Sequence, residues 1–597
     1  MLRILRARLR ATTRPDDEGI ALVLVISIGA VLTVMMTAAI AYGLGAFRKA
    51  DSDASWSSAM AAAYAGIEEY QSRLANDPTY LQYGNPASRF TNGAENDSGE
   101  ASVVTLPTGT AENRAFGVGA AGTWADVPGS DGEASYRYEI DNSQYYETGT
   151  LYLRSTGRVG DETRTIVADL RQQGFIDFLY FTDYEIQDPV MSGANAANCV
   201  RYAYAGRPSG CSEIAFGSND VVDGPAHSND RIRICEARFR GALTTSYNPT
   251  SGLRYDPRNS LNNSCSGQIF DLAGSPAYSP VIGMPQTNSQ LKREVRSDLA
   301  TEVPLPGCLY TGPTSIQLNA NGTITVRSPW TRATRVAGDP ATSGSQPSAC
   351  GSIGNLRSAG GATFTPPANN VIYVQNVPTV SSDPNFTASG SMPFSGFACN
   401  GLSGSTRSGN SSTNGYGNGI GYPTTNERLT RNDAYECRNG DVFVQGTLDG
   451  QMTIAAENYI YVTGNIVYED ANEDMLGLIG TDAIWIWNPV NASGNSVLGG
   501  SNRRVDAAML SVAHTMQVQN YDVGGNRGTL TVNGAIAQKF RGIVRSGTNG
   551  YAKNYLYDER LRYTAPPKFL SPVTTTYGVT VWIEVGRAFN GDGTVAG

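Results

Sequence analysis

From Gly19 to Phe47 the chain carries no charged residue, and a run of that length leaves few structural choices. As a helix it is about 43 Å long at 1.5 Å per residue, more than the roughly 30 Å of a bilayer's hydrocarbon core. Arg3, Arg6, Arg8, Arg10 and Arg14 precede it, with Asp16, Asp17 and Glu18 at its border, and only Arg48 and Lys49 follow closely. That bias keeps the N-terminus cytoplasmic and sends the rest of the chain outside. Three readings share this segment. It is longer than the apolar stretch of an ordinary secretory signal, yet Ala39-Ile40-Ala41 fits a small-x-small cleavage site. A plain single-pass anchor is the second reading. The third takes in the residues beyond Lys49.

Past that charged pair, Trp56, Met60, Ala63, Ile67, Tyr70 and Leu74 recur at intervals of four and three, one face of a helix. Alanines fill the gaps and favour helix. Asn76-Asp77-Pro78 stops it, because the residue before proline avoids the helical region. The expectation is one helix over 20–76, with 20–47 spanning a membrane and 48–76 exported to pack on something else.

At these residues the chain resembles the type IV pilins, whose charged leader ends in glycine and is cut just before an apolar helix. The junction here is Gly19 and Ile20, after a basic leader over 1–19. The glutamate usual at the fifth mature position falls on Leu24, which argues against a shaft-forming pilin. Ala61-Ala62-Ala63-Tyr64-Ala65-Gly66-Ile67-Glu68 is similar to the post-membrane segment of PilX-type minor pilins. So are the stretches at 171–189, 224–229 and 550–570. The resemblance implies a prepilin peptidase as partner, other pilins contacting the helix, and a cell-surface filament as destination. The missing glutamate is tolerated both in PilX-type minor pilins and in the tip pseudopilin of type II secretion.

Residues 77–175 read as a pilin-like region, loop-rich up to about 130. There, 135–141, 150–155 and 164–170 alternate polar and apolar residues like an antiparallel meander. Such a sheet needs a cover on its apolar face, and the exported half-helix is the candidate. Residues 176–597 read as a large β-rich body. Val442-Phe-Val-Gln-Gly-Thr-Leu448, Ile460-Tyr-Val-Thr-Gly-Asn-Ile466 and Leu530-Thr-Val-Asn-Gly-Ala-Ile536 share one form, and Phe239-Arg-Gly-Ala-Leu243 repeats its second half. Stacked coils of a β-solenoid give such an echo; a β-sandwich is the alternative. The fold class is therefore α+β. Between 310 and 435 the pattern does not place strands, and 401–426 is a Gly/Ser/Asn/Thr-rich loop.

The eight cysteines, Cys199, Cys211, Cys235, Cys265, Cys308, Cys350, Cys399 and Cys437, are even in number and lie in the exported part, which reads as disulfides. Neighbour pairing is the simplest of many connectivities. Their spacing is not that of a zinc site. A net charge of −9 argues against nucleic acid as a partner, since phosphate binding needs clustered Lys and Arg.

Little here points to catalysis. The sequence has two histidines. His227 beside Ser228 and Asp230 suggests a triad only on paper, because adjacent side chains on a strand face opposite ways. His514 belongs to no motif. Asp470 and Asp474 form an oxygen-rich turn that is a weak Ca2+ candidate without EF-hand spacing; no other cofactor is expected. Trp485 and Trp487 share one strand face, as core or as a sugar-binding surface. The sequence thus supports a non-enzymatic minor pilin or pilus assembly protein, displayed at low copy or at a tip. A surface glycan or protein is its candidate ligand. The alternative is an anchored or secreted β-solenoid enzyme acting on polysaccharide.

Overall fold

A computed structural model describes residues 18–596 apart from 110–111, 118–122, 144, 146–149, 173, 219, 300–302, 304, 336–346, 400–416, 425, 429–434 and 572–576. The leader expected over 1–19 therefore lies outside the described residues up to position 17. The chain is α+β and divides into two compact units, one of 1–171 with 577–597, the other of 172–576.

The first unit is built on one helix, Glu18–Asn76, which we call the stem. It ends where Asp77 takes extended backbone angles and Pro78 opens a short 3-10 turn, capped by the Asp77 carboxylate accepting from the Thr79 amide at 2.9 Å. Four antiparallel strands come next: β1 (Ala125–Asp126), β2 (Ala134–Asp141), β3 (Thr150–Val159) and β4 (Glu162–Gln172). Tyr138 lies opposite Ser155, and Ser155 opposite Ile166, so the alternating apolar residues share one face. The fifth strand of this sheet comes from the far end of the chain. Tyr577–Val585 lies next to β4, at the edge. The body expected over 176–597 thus gives up its C-terminal segment to the first unit. The sequence of 577–585 does not say which sheet this strand joins.

The second unit stacks strands in parallel. Cys308, Ile372, Ile454, Leu478, Met509 and Ile536 lie side by side on successive strands. Ile536 continues to Tyr180, Ala226 and Leu243. All nine are buried in one core. Parallel rungs of this kind suit stacked coils and do not arise in an antiparallel sandwich. The echo at 442 and 460 is one such step, with Val442 beside Ile460 and Val444 beside Val462. The strand at the start of the unit, Tyr180–Tyr184, sits in the middle of the stack, against Asn526–Phe540. The stacked strands therefore do not follow one another strictly in chain order.

Two outward rows are apolar as well, and the unit covers them with its own loops. Leu309, Tyr373, Ala455, Ile479, Leu510, Ala537 and Phe181 pack beneath Ile282, Met284, Leu291 and Val295. Phe443, Tyr461 and Trp485 pack beneath Ile420, Tyr435 and Met191. The region that resists sequence assignment holds strands at Cys308–Thr311, Thr314–Leu318, Ile324–Arg327, Ala362–Phe364 and Asn370–Gln375. Of the loop expected over 401–426, residues 401–416 and 425 lie outside the described residues.

The disulfides join Cys199 to Cys211, Cys235 to Cys265, Cys308 to Cys350, and Cys399 to Cys437. All four belong to the second unit.

Candidate assembly surface

The stem presents two chemically different halves. From Leu22 to Phe47 its large apolar side chains are exposed, Val25 at 67% and Phe47 at 76%. Both threonine hydroxyls inside this stretch are satisfied locally: Thr33 donates to the Gly29 carbonyl at 2.8 Å, and Thr37 to the Thr33 carbonyl at 2.9 Å. A helix that pairs its own backbone and hydroxyls can be surrounded by hydrocarbon without orphaned polar groups. Gly19 and Ile20 lie in the first turn of the helix, where only the backbone is described.

The other half is held by the meander. Ala63, Ile67, Tyr70 and Leu74 are fully buried, and Met60 packs at the margin of the same core. Burying a side chain the size of Ile67 or Leu74 contributes about 1.5–3 kcal/mol. Trp56, expected on this face, does not join that core. It is 53% exposed, with the Arg164 guanidinium from β4 lying 3.4 Å over its ring. Ala59 and Ala62 are buried instead, and their small size is the reason. A Cβ on Gly157 of β3 would lie 2.1 Å from the Ala59 carbonyl oxygen and 2.2 Å from the Ala63 amide nitrogen. Helix and sheet backbones thus approach to a distance only alanine and glycine permit. The Ser155 hydroxyl, from β3, donates to the Ala63 carbonyl at 2.8 Å across that contact.

Further along, an aromatic cluster fixes the end of the stem. Tyr70 meets the Tyr138 ring edge-on at 5.2 Å and the Tyr80 ring at 5.6 Å. The Tyr138 hydroxyl donates to the Glu69 carboxylate at 2.9 Å, and Glu69 pairs with Arg73 one turn on. Burial and the neighbouring Glu69 charge hold the Tyr138 phenol well above its ordinary value, so it stays a donor. Asn113 Nδ2 donates to the Tyr80 hydroxyl at 3.0 Å and to that of Tyr138. Glu69 and Asn113 carry no motif, and their part depends on neighbours distant in sequence.

Comparison with known proteins adds little. No protein-family model and no curated protein matches this chain. Among solved structures, the crystal structure of the competence-associated pilin ComZ from Thermus thermophilus aligns over 89% of this chain and 97% of its own, at 12% identity. The TM-score is 0.23, too low to support any argument about fold or role.

The remaining sequence candidates are structural where they are described. His227 is fully buried, its Nδ1 2.8 Å from Thr244 Oγ1 and its Nε2 3.0 Å from Asn229 Oδ1, with its ring stacked on Phe181. Burial lowers its pKa to about 4. Ser228 and Asp230 do not complete a triad with it. Ser228 Oγ accepts from the Asp230 amide, and the Asp230 carboxylate takes the Glu185 and Ala203 amides together with Arg207. His514 sits between two carboxylates, its Nδ1 2.5 Å from Asp188 and its Nε2 3.7 Å from Asp482. Asp470 and Asp474 serve a turn: Asp474 accepts from the Gly450 and Asp470 amides, and Asp470 from the Asn472 amide. Among the described residues no cluster of His, Cys, Asp and Glu is arranged to hold a metal. Trp485 and Trp487 are core, 2% and 8% exposed.

Proposed function

We propose that this chain is a minor pilin-like assembly protein, held in a membrane by the exposed half of its stem and later packed by that same half among neighbouring stems in a filament. One observation carries the reading. A single unbroken helix has one half buried on its own antiparallel sheet and the other half apolar and open over its whole circumference. Lipid covers such a surface before assembly, and other stems cover it afterwards. The PilX-type assignment, cleavage between Gly19 and Ile20 by a prepilin peptidase, and display of a solenoid body at a tip or at low copy all belong to this proposal. So does adhesion to a surface glycan or protein. In this reading the chain is not an enzyme and needs no cofactor.

The test is the N-terminus of the mature protein, read by mass spectrometry on membranes and on sheared surface material. A chain beginning at Ile20, and a Gly19→Val variant that stays unprocessed, are the expected results. A chain beginning at Tyr42 would make this a secreted protein and end the assembly reading.

A further inference from the structure

We infer that the C-terminal segment, residues 577–597, closes the stem-bearing unit, and that stems whose segment has not docked are barred from assembly. The second half of this statement rests on the proposed function; the first does not.

The chain leaves the first unit at Arg171 and returns to it only at Tyr577. Everything between them, including all four disulfides, must be exported before the sheet has its fifth strand. The returning segment does more than extend an edge. After the strand, Ala588 and Phe589 are buried with Trp124. Their backbone is pinned from β4: the Thr163 hydroxyl donates to the Phe589 carbonyl at 2.7 Å, and the Ala588 amide donates to Thr165 Oγ1 at 2.9 Å. Two arginines reach the next residues, Arg158 Nη1 donating to the Gly591 carbonyl at 3.0 Å and Arg137 Nη1 to the Gly593 carbonyl at 2.8 Å. The Arg137 guanidinium also lies 4.2 Å from the centre of the Phe589 ring. Without the segment, Arg137 and Arg158 would lose these acceptors, and Trp124 would lose its apolar partners Ala588 and Phe589.

The segment also touches the stem itself. The Trp582 ring packs 4.7 Å from that of Tyr64, and Glu584 pairs with Arg164, the residue that covers Trp56. The docked segment therefore contacts the helix beyond its apolar half, directly at Tyr64 and through Arg164 at Trp56. The residues of 1–171 have to wait for 577–597, translated some four hundred positions later, before their own packing is finished.

Gly591 offers a way to evict the segment without touching the stem or the body. A Cβ there would lie 2.9 Å from Asp161 Cα and 3.0 Å from Asp161 O, both backbone atoms of the β3–β4 turn. Gly586 has open space around the same position and serves as the control. The experiment compares full-length wild type, Gly591→Val and Gly586→Val, first by limited proteolysis in detergent and then by the fraction of each in sheared surface material. For Gly591→Val we expect cleavage within 125–171 to rise about tenfold or more, as an overpacking cost of this kind implies. Resistance of 172–576 and its disulfides should be unchanged, and the sheared fraction should fall in step. Gly586→Val should match wild type in both. Wild-type protection of 125–171 in Gly591→Val would overturn the closure. Lost protection with an unchanged sheared fraction would overturn the barrier to assembly. A wild-type chain absent from sheared material would overturn the assembly reading and the barrier with it, while the proteolysis would still decide the closure.

Discussion

Two histidines set opposite pH responses. Burial lowers the His227 pKa from 6.5 to about 4, so folding is favoured above the unfolded value and loses support as pH falls from about 6.5 to 4. For His514, burial alone would lower the pKa. The hydrogen bond that His514 Nδ1 donates to Asp188 and the charges of Asp188 and Asp482 outweigh it, against a smaller opposing effect of Lys539, and the net shift is upward. Its contribution is fully present below pH 6.5 and is lost as pH rises through the raised value. A His514→Gln variant should therefore lose more stability relative to wild type at about pH 6 than at about pH 9, measured by urea unfolding. An equal loss at both values would remove the charged pair from the account. A second residue-scale expectation concerns Gly157. Valine there meets helix backbone rather than a movable side chain, and should cost about 3 kcal/mol, the upper part of the overpacking range. The urea midpoint of the first unit's transition reports it. Neither site is legible in the sequence. The sequence makes His227 a packing or turn residue but does not show that Asn229 and Thr244 take both ring nitrogens, and Gly157 looks like any glycine in a strand.

At the scale of elements, the stem is the most legible part. Its apolar run, its helical spacing and its stop at Asn76-Asp77-Pro78 are local signals, and the helix Glu18–Asn76 matches them closely. The exception, Trp56, shows the limit of spacing alone: where backbones approach as closely as Ala59 and Gly157 do, the buried positions go to small residues and a large ring is turned out. The exposed half gives a direct test. A Val31→Lys change places a charge near the middle of the apolar run, at a cost of about 2.5–3.5 kcal/mol for membrane insertion. The variant should shift from the carbonate-resistant membrane fraction toward the soluble one. Unchanged extraction would mean that this half is not held by lipid. The meander is legible too, since its three long strands alternate cleanly. Its fifth strand is not, because Tyr577–Val585 pairs with residues some four hundred positions earlier, and alternation carries no address.

For the whole molecule, the body shows how a repeat can be read while its order is missed. The step from Val442 to Ile460 is visible because both strands are short and share one pattern. The rung that joins Ile536 to Tyr180 is not, since it links opposite ends of the second unit. Irregular loops between rungs, such as those that cover Ala455 and Phe443, blur the period further. In a stack of this kind each rung is stabilised chiefly by its neighbours. Leu478→Ala should cost about 3 kcal/mol, and hydrogen exchange should rise most at its neighbours Ile454 and Met509. A uniform rise across the unit would mean that the stack unfolds as one block.

Because the chain crosses between the units twice, at Arg171–Gln172 and again before Tyr577, the second unit is joined to the first by two covalent connections. A pull on the body is divided between β4 and its neighbour in the same sheet. A single cut in either connection leaves the load on the other for as long as the C-terminal strand stays docked. Within the body, the disulfides cap how far the loops they close, from Cys199–Cys211 to Cys308–Cys350, can be drawn out.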